Sequence, residues 1–306
     1  MYTTEQNEIL SRVDALSKQE GSQNKACMLL GVSAAVISSI KNEKYKGDIQ
    51  GVFNKLESYF GIKEAAENTY SEIQYAPTFI STQVYEILRI CQVKGGLAIA
   101  CGDAGIGKTK AAKQFVTDHS SNSVLITINP CLTSIKSILK AIAERVGASP
   151  EKSRDELWFS IVNKLSDGMV LIFDEAQHLT LKTIEVLRSF SDYFADKGQT
   201  LGIAFIGNLE TVNRLGSKKA EFAQISNRTK QKTVYSSKQI KREDIIKLFP
   251  ILSQEHKDAE IDFLWRISQT PQALRGAINL FSNAYDNENY TYSGLVAMAR
   301  HMDMAV

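Results

Sequence analysis

The chain has 306 residues, 43% of them hydrophobic and 23% charged, with a formal net charge of +2. That composition is globular and long enough for about two domains, and it excludes a disordered or fibrous protein. So small a net charge excludes nucleic-acid binding by bulk electrostatics, so any basic surface has to be local.

Four scattered cysteines (Cys27, Cys91, Cys101 and Cys131) form neither a C-x-x-C pair nor a zinc spacing, which fits a reducing compartment. The N-terminus lacks a basic segment followed by an apolar one, and no apolar run approaches the ~18 residues of a membrane span. The expectation is a cytoplasmic protein without a membrane partner.

Residues 1–62 read as a helix-turn-helix DNA-binding domain. In residues 22–42, Ala26, Leu30, Val32, Ile37 and Ile40 form an inner face, Gly31 permits a tight turn and Ser33 caps the second helix. That helix exposes Ser38, Ser39, Lys41 and Asn42, with Lys44 and Lys46 beyond, as candidate DNA contacts. Residues 1–60 hold seven basic and seven acidic side chains, so a protein-interaction module of the same shape stays open. Residues 63–82 lose periodicity, carry Pro77 and read as a linker.

Residues 83–240 read as an α/β domain. Short apolar runs at Leu97–Cys101, Val124–Ile128, Met169–Phe173 and Leu201–Ile206 suit parallel strands buried on both faces. Helical stretches lie between them: Ile135, Ile138, Leu139, Ile142 and Val146 share one face, Ser153 and Glu156 form a capping box, and a further helix follows Thr180. The alternation predicts a doubly wound α/β layer. After about residue 240 the strand runs stop. Segments 243–249, 258–268, 271–285 and 293–301 read as helices of a C-terminal helical lid domain, 241–306, with Thr270-Pro271 opening one of them.

Gly102-Asp103-Ala104-Gly105-Ile106-Gly107-Lys108-Thr109 follows a strand, opens a helix and matches the phosphate-binding pattern G-x-x-x-x-G-K-[ST]. Its glycines let backbone N–H groups curl around the phosphates of ATP; Lys108 reaches the outer phosphates and Thr109 places a hydroxyl on Mg2+. Met169–Phe173 delivers Asp174 and Glu175 to a strand's carboxyl end, where open α/β sheets bind ligands. Asp174 suits the magnesium shell and Glu175 the attacking water; two helix-capping carboxylates are the plainer alternative. Asn208, at the tip of the next strand, suits the same water or the γ-phosphate, against an ordinary turn asparagine. Arg228, past the last strand so read, and Arg275, in the helical domain, suit the transferring phosphate, against ordinary solvated arginines. Residues 212–247 carry ten basic and three acidic side chains, including Lys218, Lys219, Lys230, Lys232, Lys241 and Arg242. They can neutralise phosphates or form a solvated face.

The segments SSIKNEKYKGD, CGDAGIGKT, LIFDEAQHL, FIGN and PQALRGAIN, in this order over nearly the whole chain, resemble the B transposition proteins of Mu-like phages, which are AAA+ ATPases. The resemblance implies an AAA+ fold and phage or prophage origin in a bacterial host. It also implies ATP-dependent helical filaments on double-stranded DNA, bound with little sequence preference. A transposase partner would take that DNA as target and stimulate the hydrolysis that removes the filament. By motif, Lys108 and Thr109 would bind ATP and Mg2+, Asp174 and Glu175 would form the Walker B pair, and Asn208 would be sensor 1. Arg275 would be sensor 2, and Arg228, with Arg214 as rival, would occupy the arginine-finger region. Two other classes compete: a helicase-loading or replication-initiating ATPase, and a transcriptional regulator with a nucleotide-sensing domain.

Overall fold

The computed structural model describes residues 2–70, 75–132, 134–211 and 229–304, with backbone alone at 65–68. Arg214, Lys218, Lys219 and Arg228 lie outside the described residues. The chain divides into two compact units, Met1–Ser71 and Glu72–Val306.

The first unit contains α1 (Thr4–Gln19), α2 (Gln23–Leu29), α3 (Ala34–Lys41) and α4 (Ile49–Asn68). Thr3, Ser22, Ser33 and Asp48 each accept a backbone N–H at the N-terminus of the helix they precede. Such caps are worth ~1 kcal/mol apiece. Between α2 and α3 the chain reverses at Gly31, whose φ is +64°, a value that costs a Cβ-bearing residue strain. Lys55 Nζ donates to the Gly31 carbonyl at 3.0 Å, closing that turn from α4. Ala26, Leu30, Ile37 and Ile40 are buried against Leu10, Val13, Phe53 and Leu56, while Val32 packs half-buried beside them. Helix α4 extends to Asn68 and the next helix begins at Phe79, so both reach into the stretch 63–82.

In the second unit α5 (Phe79–Lys94) leads into β1 (Gly96–Gly102), α6 (Lys108–Asp118), β2 (Ser123–Thr127), α7 (Ile135–Val146) and α8 (Arg154–Val162). β3 (Met169–Asp174), a short 3-10 turn (Ala176–His178), α9 (Leu181–Ala195), β4 (Leu201–Gly207) and β5 (Thr229–Tyr235) follow. The five strands form one parallel sheet in the order β2-β3-β4-β1-β5. Strands β3 and β4 are buried at every position, as their unbroken apolar sequences require. Their inner faces meet Ile138, Leu139 and Ile142 of α7 and Ile184, Leu187 and Phe190 of α9 in one core. Ser153 and Glu156 make both bonds of the capping box that opens α8.

The fifth strand corrects the sequence reading, which ends the sheet at Ile206 and places Arg228 past the last strand. β5 begins one residue after Arg228 and pairs with β1. It is an edge strand in which exposed Lys230, Lys232 and Val234 alternate with half-buried Thr229, Gln231 and Thr233, so no apolar run marks it.

A second 3-10 turn (Ser237–Gln239) leads to α10 (Arg242–Leu248), α11 (Pro250–Gln254), α12 (Asp258–Ser268), α13 (Ala273–Asp286) and α14 (Tyr292–His301). The helix expected at Pro271 starts instead at Ala273, which is buried and held at φ +53°. The Ala273 N–H donates to Thr270 O at 3.1 Å, so Pro271 and Gln272 form a turn ahead of the helix.

Candidate nucleotide site

Strand order fixes where a ligand can sit. From β1 the chain crosses past β4 and β3 to reach β2, and after β4 it crosses to the other side of β1, so connections diverge above the β1–β4 pair. In open α/β sheets that divergence leaves a crevice at the strands' carboxyl ends. A cleft of about 570 Å³ lies there, bordered by the glycine-rich loop, the ends of β3 and β4, and α13.

The loop's shape depends on glycines. Gly102 has φ +148°, and a Cβ there would fall 2.0 Å from the Tyr235 carbonyl oxygen at the end of β5. Gly107, φ +97°, turns the chain into α6 without a side-chain cap, so the helix N-terminus faces the cleft through backbone N–H groups alone. Asp103 is held by β5's exit: its N–H donates to Tyr235 O at 3.1 Å, and its carboxylate accepts the Ser237 N–H at 2.7 Å. That bond is the main cause holding the Asp103 carboxyl below the usual carboxylate range. Residues 104–109 therefore supply the N–H groups that can cradle an anion.

Lys108 donates to the carbonyls of Gly102 and Asp103 at 3.0 and 2.6 Å. Burial lowers its pKa, opposed by nearby Asp174, Glu175 and Asp103. Thr109 Oγ1 donates to Asp174 Oδ2 at 2.8 Å, joining the start of α6 to the end of β3. Asp174 is 2% exposed. Burial raises its pKa, against the bonds from the Thr109 hydroxyl and the Glu175 N–H. A hydroxyl beside a buried carboxylate is an all-oxygen pair suited to a hard cation such as Mg2+.

Glu175 is exposed and left-handed, at φ +57° and ψ +38°. For a glutamate that conformation costs ~1–2 kcal/mol, and such strain concentrates at functional sites. Its neighbour Gln177 also borders the cleft; the segment LIFDEAQHL contains it, but the sequence reading gives it no role. The Gln177 side-chain amide donates to Glu175 Oε2, and its carbonyl accepts the Asn208 N–H at 3.4 Å. Asn208 Oδ1 accepts the Glu210 N–H at 2.9 Å, capping the turn beyond β4. Arg275 is brought to the loop through its backbone, its N–H donating to Gly105 O at 3.2 Å.

Apolar side chains also border the cleft: Tyr75 and Ala76 ahead of α5, Leu248 of α10, and Leu274 and Ile278 of α13. Tyr75 and Ala76 lie inside the stretch read as a linker, where only the aromatic at 75 hints at a role.

The candidate DNA contacts lie in the first unit. Ser38, Asn42, Lys44 and Lys46 are exposed and Ser39 is half-buried. Lys41 is ion-paired with Asp14 of α1. Of the basic stretch, Lys230 and Lys232 are exposed on β5. Others are engaged: Lys241 lies over the Phe79 ring at 4.0 Å, Arg242 is forked between Asp258 and Asp262, and Lys247 donates to Pro77 O at 2.8 Å.

Residues 92–215 match the family described as AAA domain. The chain is 29% identical over 269 residues to the Mu-like prophage FluMu DNA transposition protein B of Haemophilus influenzae, spanning 85% of this chain and 90% of that one. It is 28% identical over 254 residues to the ATP-dependent target DNA activator B of Escherichia phage Mu, spanning 80% and 77%. Among solved structures, the Aeropyrum pernix ORC2 protein in its ADP form shares the fold at a TM-score of 0.53 and 15% identity, over 78% of this chain and 72% of that one. Among the described residues no helix is long and apolar enough to cross a membrane.

Proposed function

We propose that this chain, a relative of the B transposition proteins of Mu-like phages built on an AAA+ P-loop fold, hydrolyses ATP and couples nucleotide state to assembly on double-stranded DNA that a transposase takes as target. The observation that carries the catalytic reading is the pairing of Thr109 with buried Asp174 beside Lys108 and Glu175, under a helix N-terminus, in one cleft. The names of the two phage relatives support the role on DNA. The exposed Ser38, Asn42, Lys44 and Lys46 and the described Lys230 and Lys232 supply cationic and polar surface for phosphates. Its setting would be the cytoplasm of a bacterial host.

In this reading the triphosphate lies along the N–H groups of residues 104–109 and the base packs against apolar lining residues such as Tyr75 and Leu274. Lys108 leaves the carbonyls of Gly102 and Asp103 for the outer phosphates. Thr109 and Asp174 would hold Mg2+, which supplies charge neutralisation at the phosphate oxygens. Glu175 takes a proton from water as its oxygen bonds to the γ-phosphorus; the bond to the β,γ-bridging oxygen breaks, giving ADP and phosphate. Asn208 orients the water, Arg275 senses the γ-phosphate from the helical segment, and Arg228 or Arg214 of a neighbouring copy neutralises charge on the transferring phosphoryl group. Each nucleotide would then sit between copies, so hydrolysis loosens the assembly.

Lys108→Ala is expected to abolish ATP binding by calorimetry. Glu175→Gln is expected to bind ATP normally while kcat falls about 100-fold or more. Sedimentation with DNA is expected to show assembly with ATP and not with ADP. Equal assembly with ATP, ADP and no nucleotide would overturn the coupling.

A further inference from the structure

We propose that Gln177 is a positioning residue for hydrolysis, holding the Glu175 carboxylate and the tip of β4 in one hydrogen-bonded arrangement. This rests on the reading of Glu175 as the group that takes the water's proton. Gln177 is 9% exposed, in the 3-10 turn after β3, whereas Glu175 two residues earlier is exposed. Its amide is oriented to suit both neighbours. With NH2 toward Glu175 and C=O toward the Asn208 N–H, both ends meet complementary partners. Turned over, the carbonyl would face a carboxylate and the NH2 would face another N–H, both repulsive.

The backbone around it is shaped for this contact. A Cβ on Gly207, the last residue of β4, would fall 2.7 Å from Gln177 Oε1 and 2.2 Å from Thr211 Oγ1. The glycine thus allows the amide to lie against the strand tip. Glu175 has three rotatable side-chain bonds and a left-handed backbone that its residue type disfavours, so its aim depends on what surrounds it. Gln177 supplies a direct bond to the carboxylate and refers its position to β4, the strand that carries Asn208. A glutamine that only satisfied the turn would not require Glu175 for its effect.

The test measures ATP affinity and steady-state hydrolysis for the wild type and for Gln177→Ala and Gln177→Glu, each alone and combined with Glu175→Gln. Gln177→Glu keeps the length but replaces the donor with a second carboxylate. Expected is a kcat reduced about tenfold or more in both single variants, since small misplacements of a reacting group cost that much, with ATP affinity within about twofold of wild type. In the Glu175→Gln background, loss of Gln177 changes the residual rate less than about twofold, because its effect runs through the missing carboxylate. A kcat within about twofold of wild type in the single variants, or the same fold-loss in both backgrounds, overturns the proposal. If Gln177→Ala does not fold, the isosteric Gln177→Glu decides alone. A wild type without turnover, or a Glu175→Gln variant with unchanged turnover, sinks the hydrolytic reading; an impaired Glu175→Gln beside an unaffected Gln177→Ala sinks only this one.

Discussion

Gly102 sits where β1, the phosphate loop and the end of β5 meet, and a methyl group there has nowhere to go. With 2.0 Å between an added Cβ and the Tyr235 carbonyl oxygen, and φ at +148°, Gly102→Ala must separate β5 from β1 or distort the loop. The expected cost is about 3 kcal/mol or more, combining overpacking with backbone strain, read from denaturant unfolding. An unchanged midpoint would mean that β5 does not close on this residue. Cysteine chemistry gives a second check. Burial pushes the Cys91 thiol up to about 12 and the Cys101 thiol up to about 11, while Cys131 is exposed after β2. The thiolate is the reactive form, and a raised pKa means less of it at about pH 8. Native protein treated with iodoacetamide is therefore expected to label at Cys131 first. Mass spectrometry finding Cys91 or Cys101 labelled ahead of it would contradict the burial.

At the scale of elements, the start of α5 and the first helix of the C-terminal segment are held by one carboxylate. Asp244, 2% exposed, accepts the Phe79 N–H at 2.7 Å and the Lys241 N–H at 2.9 Å, so it caps α5 and α10 together. Asp244→Ala leaves two backbone donors without this acceptor, and the expected loss is about 2 kcal/mol or more, measured by thermal or chemical unfolding. ATP binding should weaken with it, because Tyr75, Ala76 and Leu248 border the cleft beside this clamp. A variant of wild-type stability would rule out the clamp. The bridge to α5 is not legible in the sequence, since Phe79 and Asp244 are far apart along the chain. What can be read are features set by neighbours in sequence: the apolar runs of β1, β3 and β4, the glycine loop, and the Ser33 and Ser153 caps. β5 escapes because an edge strand needs no apolar run. The Lys41–Asp14 ion pair escapes because Asp14 lies on another helix. Gln177 escapes because its role follows from β3 lying beside β4.

For the whole molecule, each unit has its own core: Leu10, Val13, Ile37, Phe53 and Leu56 in the first, the sheet with α7 and α9 in the second. Among the described residues, those bordering the cleft fall between Tyr75 and Asn279. A fragment beginning at residue 72 is therefore expected to fold and to bind ATP within about threefold of the full chain, since domains with separate cores fold separately. Calorimetry showing no binding by a folded fragment would refute this independence. Within the second unit, the Arg275 N–H rests on the Gly105 carbonyl, and a Cβ at Gly105 would come within 3.0 Å of Arg275 Cβ. The loop is thus in direct contact with the start of α13. A side chain at 105 would wedge between loop and helix, so Gly105 is the position where glycine's missing Cβ lets the two backbones close on each other.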